Sequence, residues 1–264
     1  MKLTIKLFFV FFPLCANAGV TLYKNDFTVM SVEEHTEKSV SLTATLNGGS
    51  SDMGESSPAD CIIKLGLVKT GKGGLASLLP FSSELMGYTD HEKEIAAFNI
   101  GVNQFTLSFL KNVDVCPIGT DFSGDYFLVN KESKEFESSF NELLNNNYSN
   151  ATKLFHAGKT DMAISLLEPY MSESLANKIY NQNIYNDYGY FLQLVGMHKE
   201  AIKYLSVVEK ESPNRTVVYL NLADSYWVEG NIQDAKKNYK KYVDMMKRTG
   251  KRNNIPPRAV ERIK

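Results

Sequence analysis

The feature that most constrains the fold is a spacing that occurs twice in the second half of the chain. Gly196 is followed five positions later by Ala201, and Gly230 is followed five positions later by Ala235. The two pairs are separated by one fixed interval of about 34 residues, and a period of this size is typical of proteins built from stacked supersecondary units. A chain of 264 residues has room for such an array and for a second domain.

Small and large side chains recur around these two glycines at matching positions. Small residues lie where two packed helices would approach closely, and large residues lie three and four positions away, where they would fill the groove. The small residues are Gly189, Ala201, Ala223 and Ala235, and the large ones are Tyr185, Tyr188, Leu192, Tyr219, Leu222 and Tyr226. The stretch resembles the tetratricopeptide repeat, whose unit folds as two antiparallel helices. An unrelated pair of helical hairpins is the alternative.

A weaker third copy and two flanking segments complete the predicted helical half. Gly158 precedes Ala163 by five positions, but the interval from Gly158 to Gly196 exceeds the repeat period, which predicts a longer second helix or turn in this unit. Apolar residues at helical spacing predict a linker helix over 131–147 that ends at Asn145-Asn146-Asn147. The repeats then cover 148–246. Pro256-Pro257 predicts a final helix over 258–263, which caps the last unit within a basic segment at 247–264.

The first half shows the alternation of β-strands. Apolar residues alternate with polar ones over Val40–Leu46 and Phe105–Phe109, as expected for strands with one buried face. Shorter candidates are Phe27–Val32, Ile62–Val68, Ile95–Ile100 and Tyr126–Val129. Gly71 to Gly74 indicates a turn. Residues 19–130 are therefore predicted to form an antiparallel β-sandwich or barrel-like domain, so the whole chain is a multidomain α and β protein.

Residues 1–18 resemble a secretory leader. Lys2 and Lys6 precede a short apolar run, and Ala16-Asn17-Ala18 supplies the small residues of a cleavage site. We expect cleavage after Ala18 and export to the periplasm, with an uncleaved anchor or a lipid on Cys15 as alternatives. No later segment is apolar enough to predict a membrane span.

Removal of the leader would leave Cys61 and Cys116. In an oxidising compartment two cysteines most simply form a disulfide, and two buried thiols are the alternative. Residues 19–140 carry 17 acidic and 9 basic residues, whereas residues 141–264 carry 13 acidic and 18 basic ones. This difference supports a boundary near residue 140, and the two halves either dock on each other or bind separate partners.

Motifs for catalysis, metals and nucleic acid are incomplete. Gly66 to Gly73 lacks the Ser or Thr of a phosphate-binding loop, and His91-Glu92 lacks the second histidine of a zinc-protease helix. The four histidines are scattered singly, and the basic excess of the second half is too dilute to indicate nucleic acid. We therefore expect no cofactor, no metal and no enzymatic activity.

The resemblance to tetratricopeptide repeats implies an inner surface formed by the first helix of each unit. That surface would present Asn186, Asp187, Tyr190, Gln193, Leu220, Asn221, Asp224, Trp227 and Val228. An exposed Tyr or Trp there is a favoured anchor for a bound peptide. The equal alternative is that Tyr190 and Trp227 pack against other parts of the chain. Asn221 fits one position of the family's carboxylate clamp, whereas Asp187 replaces an Asn and no inner Lys matches.

These features together predict an exported, non-catalytic module that binds a protein or peptide. One alternative is a toxin-neutralising protein of the periplasm. Another is an envelope hydrolase whose site lies in the first half. A third arrangement has the β-domain binding the partner while the repeats mediate self-association.

Overall fold

The computed structural model describes residues 19–34, 42–48, 50–51, 61–82, 87–117 and 119–263. The leader, its cleavage position and Cys15 lie outside these residues. The strands are β1 (Gly19–Lys24), β2 (Thr28–Glu34), β3 (Leu42–Gly48), β4 (Ser50–Ser51), β5 (Cys61–Thr70), β6 (Gly73–Leu79), β7 (Phe81–Ser82), β8 (Gly87–Tyr88), β9 (Glu92–Ile100), β10 (Gln104–Phe109), β11 (Thr120–Asp121) and β12 (Gly124–Leu128). The helices are α1 (Lys134–His156), α2 (Thr160–Asn177), α3 (Gln182–Leu194), α4 (His198–Glu211), α5 (Thr216–Val228), α6 (Ile232–Arg248) and α7 (Pro257–Glu261), with a 3₁₀ turn at Arg252–Asn254.

Eight of the strands form a closed antiparallel barrel in the order β1-β12-β10-β9-β6-β5-β3-β2. Each strand pairs with the next long strand of the chain, and β12 returns to β1, so the barrel has up-and-down topology. Of the two possibilities left open by the sequence, the structure has the barrel. Large buried side chains such as Met30, Leu46 and Phe105 fill its interior. A barrel of eight strands is just wide enough for such filling.

Of the eight barrel strands, β1 and β6 are missing from the sequence prediction. The assignment of Gly71 to Gly74 to a turn is wrong for its last two residues, which begin β6. Glycine is required there because a Cβ on Gly74 would collide with the backbone oxygen of Val68. Gly73 and Gly74 therefore permit the close approach of neighbouring strands, whereas Gly71 lies in the turn itself.

A disulfide joins Cys61, at the start of β5, to Cys116 in the connection between β10 and β11. The Cα atoms are 5.7 Å apart, which is ordinary disulfide geometry. The predicted pairing is confirmed. The bond ties a barrel strand to a connection whose Val113 and Val115 also pack against the barrel core.

The second half contains three helical hairpins, α1–α2, α3–α4 and α5–α6, as the resemblance to tetratricopeptide repeats predicted, and α7 follows them. Gly158, Gly196 and Gly230 lie in the turns within the hairpins, as predicted. Their φ angles of +75°, +83° and +77° belong to the left-handed region, which favours glycine. Helix α2 has 18 residues against 14 in α4, which accounts for the longer first interval.

Helix α1 runs without a break through residues 145–147, so the predicted end of a linker helix there is wrong. The side chains of Asn145 and Asn147 donate hydrogen bonds to the carbonyls of Asn141 and Leu143, one turn earlier. The asparagines therefore remain inside the helix, where each is only weakly unfavourable. The predicted linker helix and the first helix of the repeats are therefore one continuous helix, α1.

The barrel packs directly on the first hairpin. Val20 and Leu22 of β1, together with Val129, belong to the same buried apolar cluster as α1 and α2. The two halves of the chain therefore share a core. This answers the question of docking that the charge difference raised.

A buried carboxylate lies beside this shared core. Glu33 of β2 is 3% exposed and accepts a hydrogen bond of 2.6 Å from the hydroxyl of Tyr170 on α2. Barrel hydroxyls also donate to it, from Ser31 at 3.2 Å, Thr43 at 2.9 Å and Thr45 at 3.2 Å. Burial and the Glu33 carboxylate hold the pKa of Tyr170 well above its usual range. The phenol therefore stays protonated and donates its hydrogen to Glu33.

Substitution of Glu33 by glutamine is expected to lower the free energy of unfolding by about 2 kcal/mol, because its amide would replace a carboxylate oxygen that accepts charge-assisted bonds from buried donors. Glu34→Gln is the matched control, because Glu34 is the next residue but is exposed. It should change stability by less than about 0.5 kcal/mol. Urea unfolding followed by circular dichroism measures both, and equal midpoints for the two variants would contradict the role of Glu33.

Candidate partner-binding surface

The predicted inner surface is formed by α3 and α5, which lie side by side. The amide Nε2 of Gln193 on α3 donates to the backbone oxygen of Asn221 and, at 2.7 Å, to the hydroxyl of Ser225, both on α5. Gln193, one of the predicted binding residues, therefore links α3 to α5 by hydrogen bonds. A long side chain used in this way fixes the separation of the two helices.

Three further predicted residues form a polar chain across the helices. Asn186 and Asn221 are 4% and 7% exposed, and Asn221 Nδ2 lies 3.5 Å from Asn186 Oδ1. Asn186 donates to Asp187, which also accepts a 2.6 Å bond from the Tyr148 hydroxyl on α1. Burial and the bond to Asp187 raise the pKa of Tyr148 to about 12. These side chains are already paired and hold α1, α3 and α5 in register.

Two arginines of the C-terminal segment, Arg258 in α7 and Arg262 just after it, contact side chains of α5. The guanidinium of Arg258 binds Asp224 with two bonds of 3.0 and 2.7 Å, and Arg262 adds a third contact at 3.3 Å. The Arg262 guanidinium also lies 4.7 Å from the centre of the Trp227 ring. Asp224 and Trp227 therefore contact the chain itself, which is the packing alternative for Trp227.

The remaining predicted residues differ in exposure. Tyr190 is 39% exposed and its ring meets Phe155 edge-on at 6.1 Å. Val228 is 60% exposed, whereas Leu220 is half-buried against the helical core. The structure thus leaves Tyr190 and Val228 as the predicted residues most accessible to another molecule.

Sequence reasoning missed three exposed neighbours of these residues. Leu194 is 52% exposed, Val217 is 40% exposed, and Asn183 is exposed and accepts a 2.8 Å bond from Arg215. The repeat period contains the signal for them. One period separates Asn183 from Val217 and Leu194 from Val228, so the members of each pair occupy equivalent positions in successive units.

Along each inner helix the relevant residues recur at intervals of four, three and four. We name the two rows the inner stripes. On α3 they are Asn183, Asp187, Tyr190 and Leu194, and on α5 they are Val217, Asn221, Asp224 and Val228. This spacing places each set on one face of its helix over roughly 16 Å. The exposed members lie mainly on α3 and at both ends of α5.

Other kinds of site find no support in the part of the chain that the structure describes. It contains no group of three or more His, Cys, Asp or Glu side chains placed to hold a metal ion. None of its helices has the length and apolar character needed to cross a membrane.

No protein-family profile and no curated protein matches the chain. Among solved structures, PcrH from Pseudomonas aeruginosa matches 50% of this chain and 91% of its own, at 14% identity and a TM-score of 0.38. The type III secretion chaperone SycD of Yersinia enterocolitica, in complex with a peptide of the translocator YopD, matches 51% and 94%, at 14% identity and 0.39. The first TPR of Spaghetti (RPAP3), bound to an HSP90 peptide, matches 46% and 92%, at 15% and 0.38. The TM-scores are too low to transfer binding properties.

Proposed function

We propose that this chain is an exported, non-catalytic module that binds a protein segment on the inner stripes of its helical repeats. The observation that carries the proposal is the exposure of Tyr190, Leu194 and Val228 on helices whose positions are fixed by buried polar bonds. Anchors on a rigid platform bind with little loss of conformational entropy. The array would act as a curved solenoid with the stripes on its concave side.

The size of the stripes favours a short segment as the partner. A length of roughly 16 Å accommodates about five residues of extended chain. Tyr190, Leu194 and Val228 provide apolar and aromatic contacts, while Asn183 and Asp187 offer hydrogen-bonding groups. Such a mixture fits a segment with alternating apolar and polar side chains.

Export is supported by the leader-like residues 1–18 and by the disulfide between Cys61 and Cys116. Disulfides persist in oxidising compartments and are rare in the cytosol. Fractionation of cells that express the tagged chain tests this part of the proposal. Recovery of the chain in the cytosol with free thiols would refute it.

Tyr190→Ala is expected to weaken binding of the partner segment at least tenfold, because it removes the central aromatic anchor of the α3 stripe. The matched control is Phe127→Ala, which removes an aromatic residue that is 58% exposed on the barrel. Peptides selected from a displayed random library on the unaltered chain serve as probes, and fluorescence anisotropy measures their affinity for each variant.

The proposal is supported if Tyr190→Ala loses affinity while Phe127→Ala does not and both variants melt at the same temperature. Equal loss in both variants, or failure of the library to yield any binder, counts against it. Selected peptides that lose affinity only with Phe127→Ala would move the binding surface to the barrel.

A further inference from the structure

The outer side of α6 and the turn that follows it carry a concentration of positive charge. Seven cations in this segment are exposed, and we name them the basic face: Lys237, Lys240, Lys241, Lys247, Arg248, Lys251 and Arg252. Asp244 is the one acidic residue between Lys237 and Arg252. The buried side of α6 holds Tyr239, Tyr242 and Val243, and the cations lie outside it.

Most of this charge is uncompensated. Lys241 lies over the ring of Tyr219 at 4.1 Å, but within the described residues none of the seven cations forms an ion pair with a carboxylate. Lys237 and Lys241 are one helical turn apart, a spacing at which like charges weaken a helix. By contrast, Arg258 and Arg262, at the end of the chain, are paired with Asp224. The two arginines that follow this segment are therefore paired with a carboxylate, whereas the cations of the basic face are not.

The charge of the basic face and its lack of exposed apolar residues indicate what kind of partner it binds. Across residues 233–254 none of the exposed large apolar residues of the described chain occurs, so the face offers no anchor of the kind that dominates specific protein interfaces. It is formed by one side of α6 and the turn that follows, and its seven cationic side chains are exposed. A surface of delocalised negative charge requires neither anchor nor groove, and four to eight clustered cations are typical of sites that bind anionic lipids.

We propose that the basic face docks the protein on an anionic phospholipid surface. The contact is electrostatic and peripheral, because no apolar side chain of the face is available to enter the bilayer. Binding should therefore depend on lipid charge and weaken as salt rises. The inner stripes belong to other helices and would remain accessible in the docked state.

Sedimentation with lipid vesicles tests the proposal. The chain from Gly19 onward is used because it contains all of the described structure and lacks the apolar leader, which would bind lipid by itself. It should bind vesicles of phosphatidylglycerol mixed with phosphatidylcholine at low salt, and it should not bind vesicles of phosphatidylcholine alone. Addition of about 0.5 M salt should release it, because screening at that ionic strength shortens the reach of the charges.

A triple variant, Lys237→Gln with Lys240→Gln and Lys247→Gln, should weaken vesicle binding on the order of a hundredfold, since each cation near the surface contributes roughly a factor of five. The control is Lys199→Gln with Lys203→Gln and Lys210→Gln, three exposed lysines of α4 that give the same change in net charge. It should retain binding within about threefold. Circular dichroism establishes that both variants fold.

Three outcomes would overturn the proposal. One is absence of binding to the phosphatidylglycerol-containing vesicles. Another is equal loss in both triple variants, which would reduce the effect to net charge. The third is equally tight, equally salt-sensitive binding to polyglutamate or duplex DNA, which would assign the face to soluble polyanions. Because none of these measurements involves peptide binding, they leave the proposed function of the inner stripes untouched.

Discussion

Replacement of both Cys61 and Cys116 by serine is expected to lower the free energy of unfolding of the barrel by about 4 kcal/mol. The bond closes a sequence separation of 55 residues, and the chain-entropy model assigns about this value to a loop of that length. Cys61 is fully buried, so a serine hydroxyl there adds a cost of its own. Urea unfolding followed by the fluorescence and circular dichroism of the protein measures the change.

Reduction provides the control for this prediction. The unaltered protein in a thiol reductant should lose nearly as much stability as the double serine variant, whereas the variant itself should not respond to reductant. A loss below about 1 kcal/mol in both tests, the size of an ordinary single substitution, would mean that barrel packing holds the connection between β10 and β11 without the covalent bond.

Gly189→Leu is expected to destabilise the helical half by about 3 kcal/mol, the upper range for overpacking of a helix contact. Even a Cβ at this position would lie 2.6 Å from Cγ of Leu205, across the contact between α3 and α4. A leucine must therefore separate the two helices or force Leu205 out of its rotamer. Thermal unfolding followed by far-ultraviolet circular dichroism reports the loss.

Leu205→Ala gives a test of the cause. Alone it should destabilise the protein by creating a cavity, but combined with Gly189→Leu it should restore part of the stability, because the new side chain can occupy the vacated space. Strict additivity of the two losses would show that Gly189 is needed for some reason other than its contact with Leu205.

The helical half was largely predictable because its determinants are local and periodic. A turn that requires left-handed glycine, followed five positions later by a small residue at a helix contact, is visible at Gly196 and again at Gly230 without knowledge of the rest of the chain. The break expected at residues 145–147 failed for a local reason as well. Asparagine side chains are as able to bond the preceding turn of a helix as to end it.

The barrel was less accessible because closure is a long-range property. Pairing of β1 with β12 joins strands from opposite ends of the domain, and alternation within a strand does not say which strand it meets. Strand β6 escaped detection because glycine favours turns in sequence statistics, whereas Gly74 is required by the close approach of Val68 on the neighbouring strand.

The binding surface was predicted from the position of its residues in the repeat. In the structure, several of these residues are paired within the chain and are not accessible. Asp224 and Trp227 are occupied by Arg258 and Arg262, which return from the end of the chain. No repeat pattern contains that contact. Leu194, in contrast, was recoverable from the sequence, since it is the equivalent of Val228 one period earlier.

The shared core of barrel and first hairpin limits how this architecture can be rearranged. A fragment that starts at α1 would leave bare the apolar side that Val20 and Leu22 cover, so we expect it to aggregate when expressed alone. Gene fusion or recombination could move the two parts only together. The barrel covers the apolar side of the first hairpin, which is the position that a capping unit occupies in a repeat array.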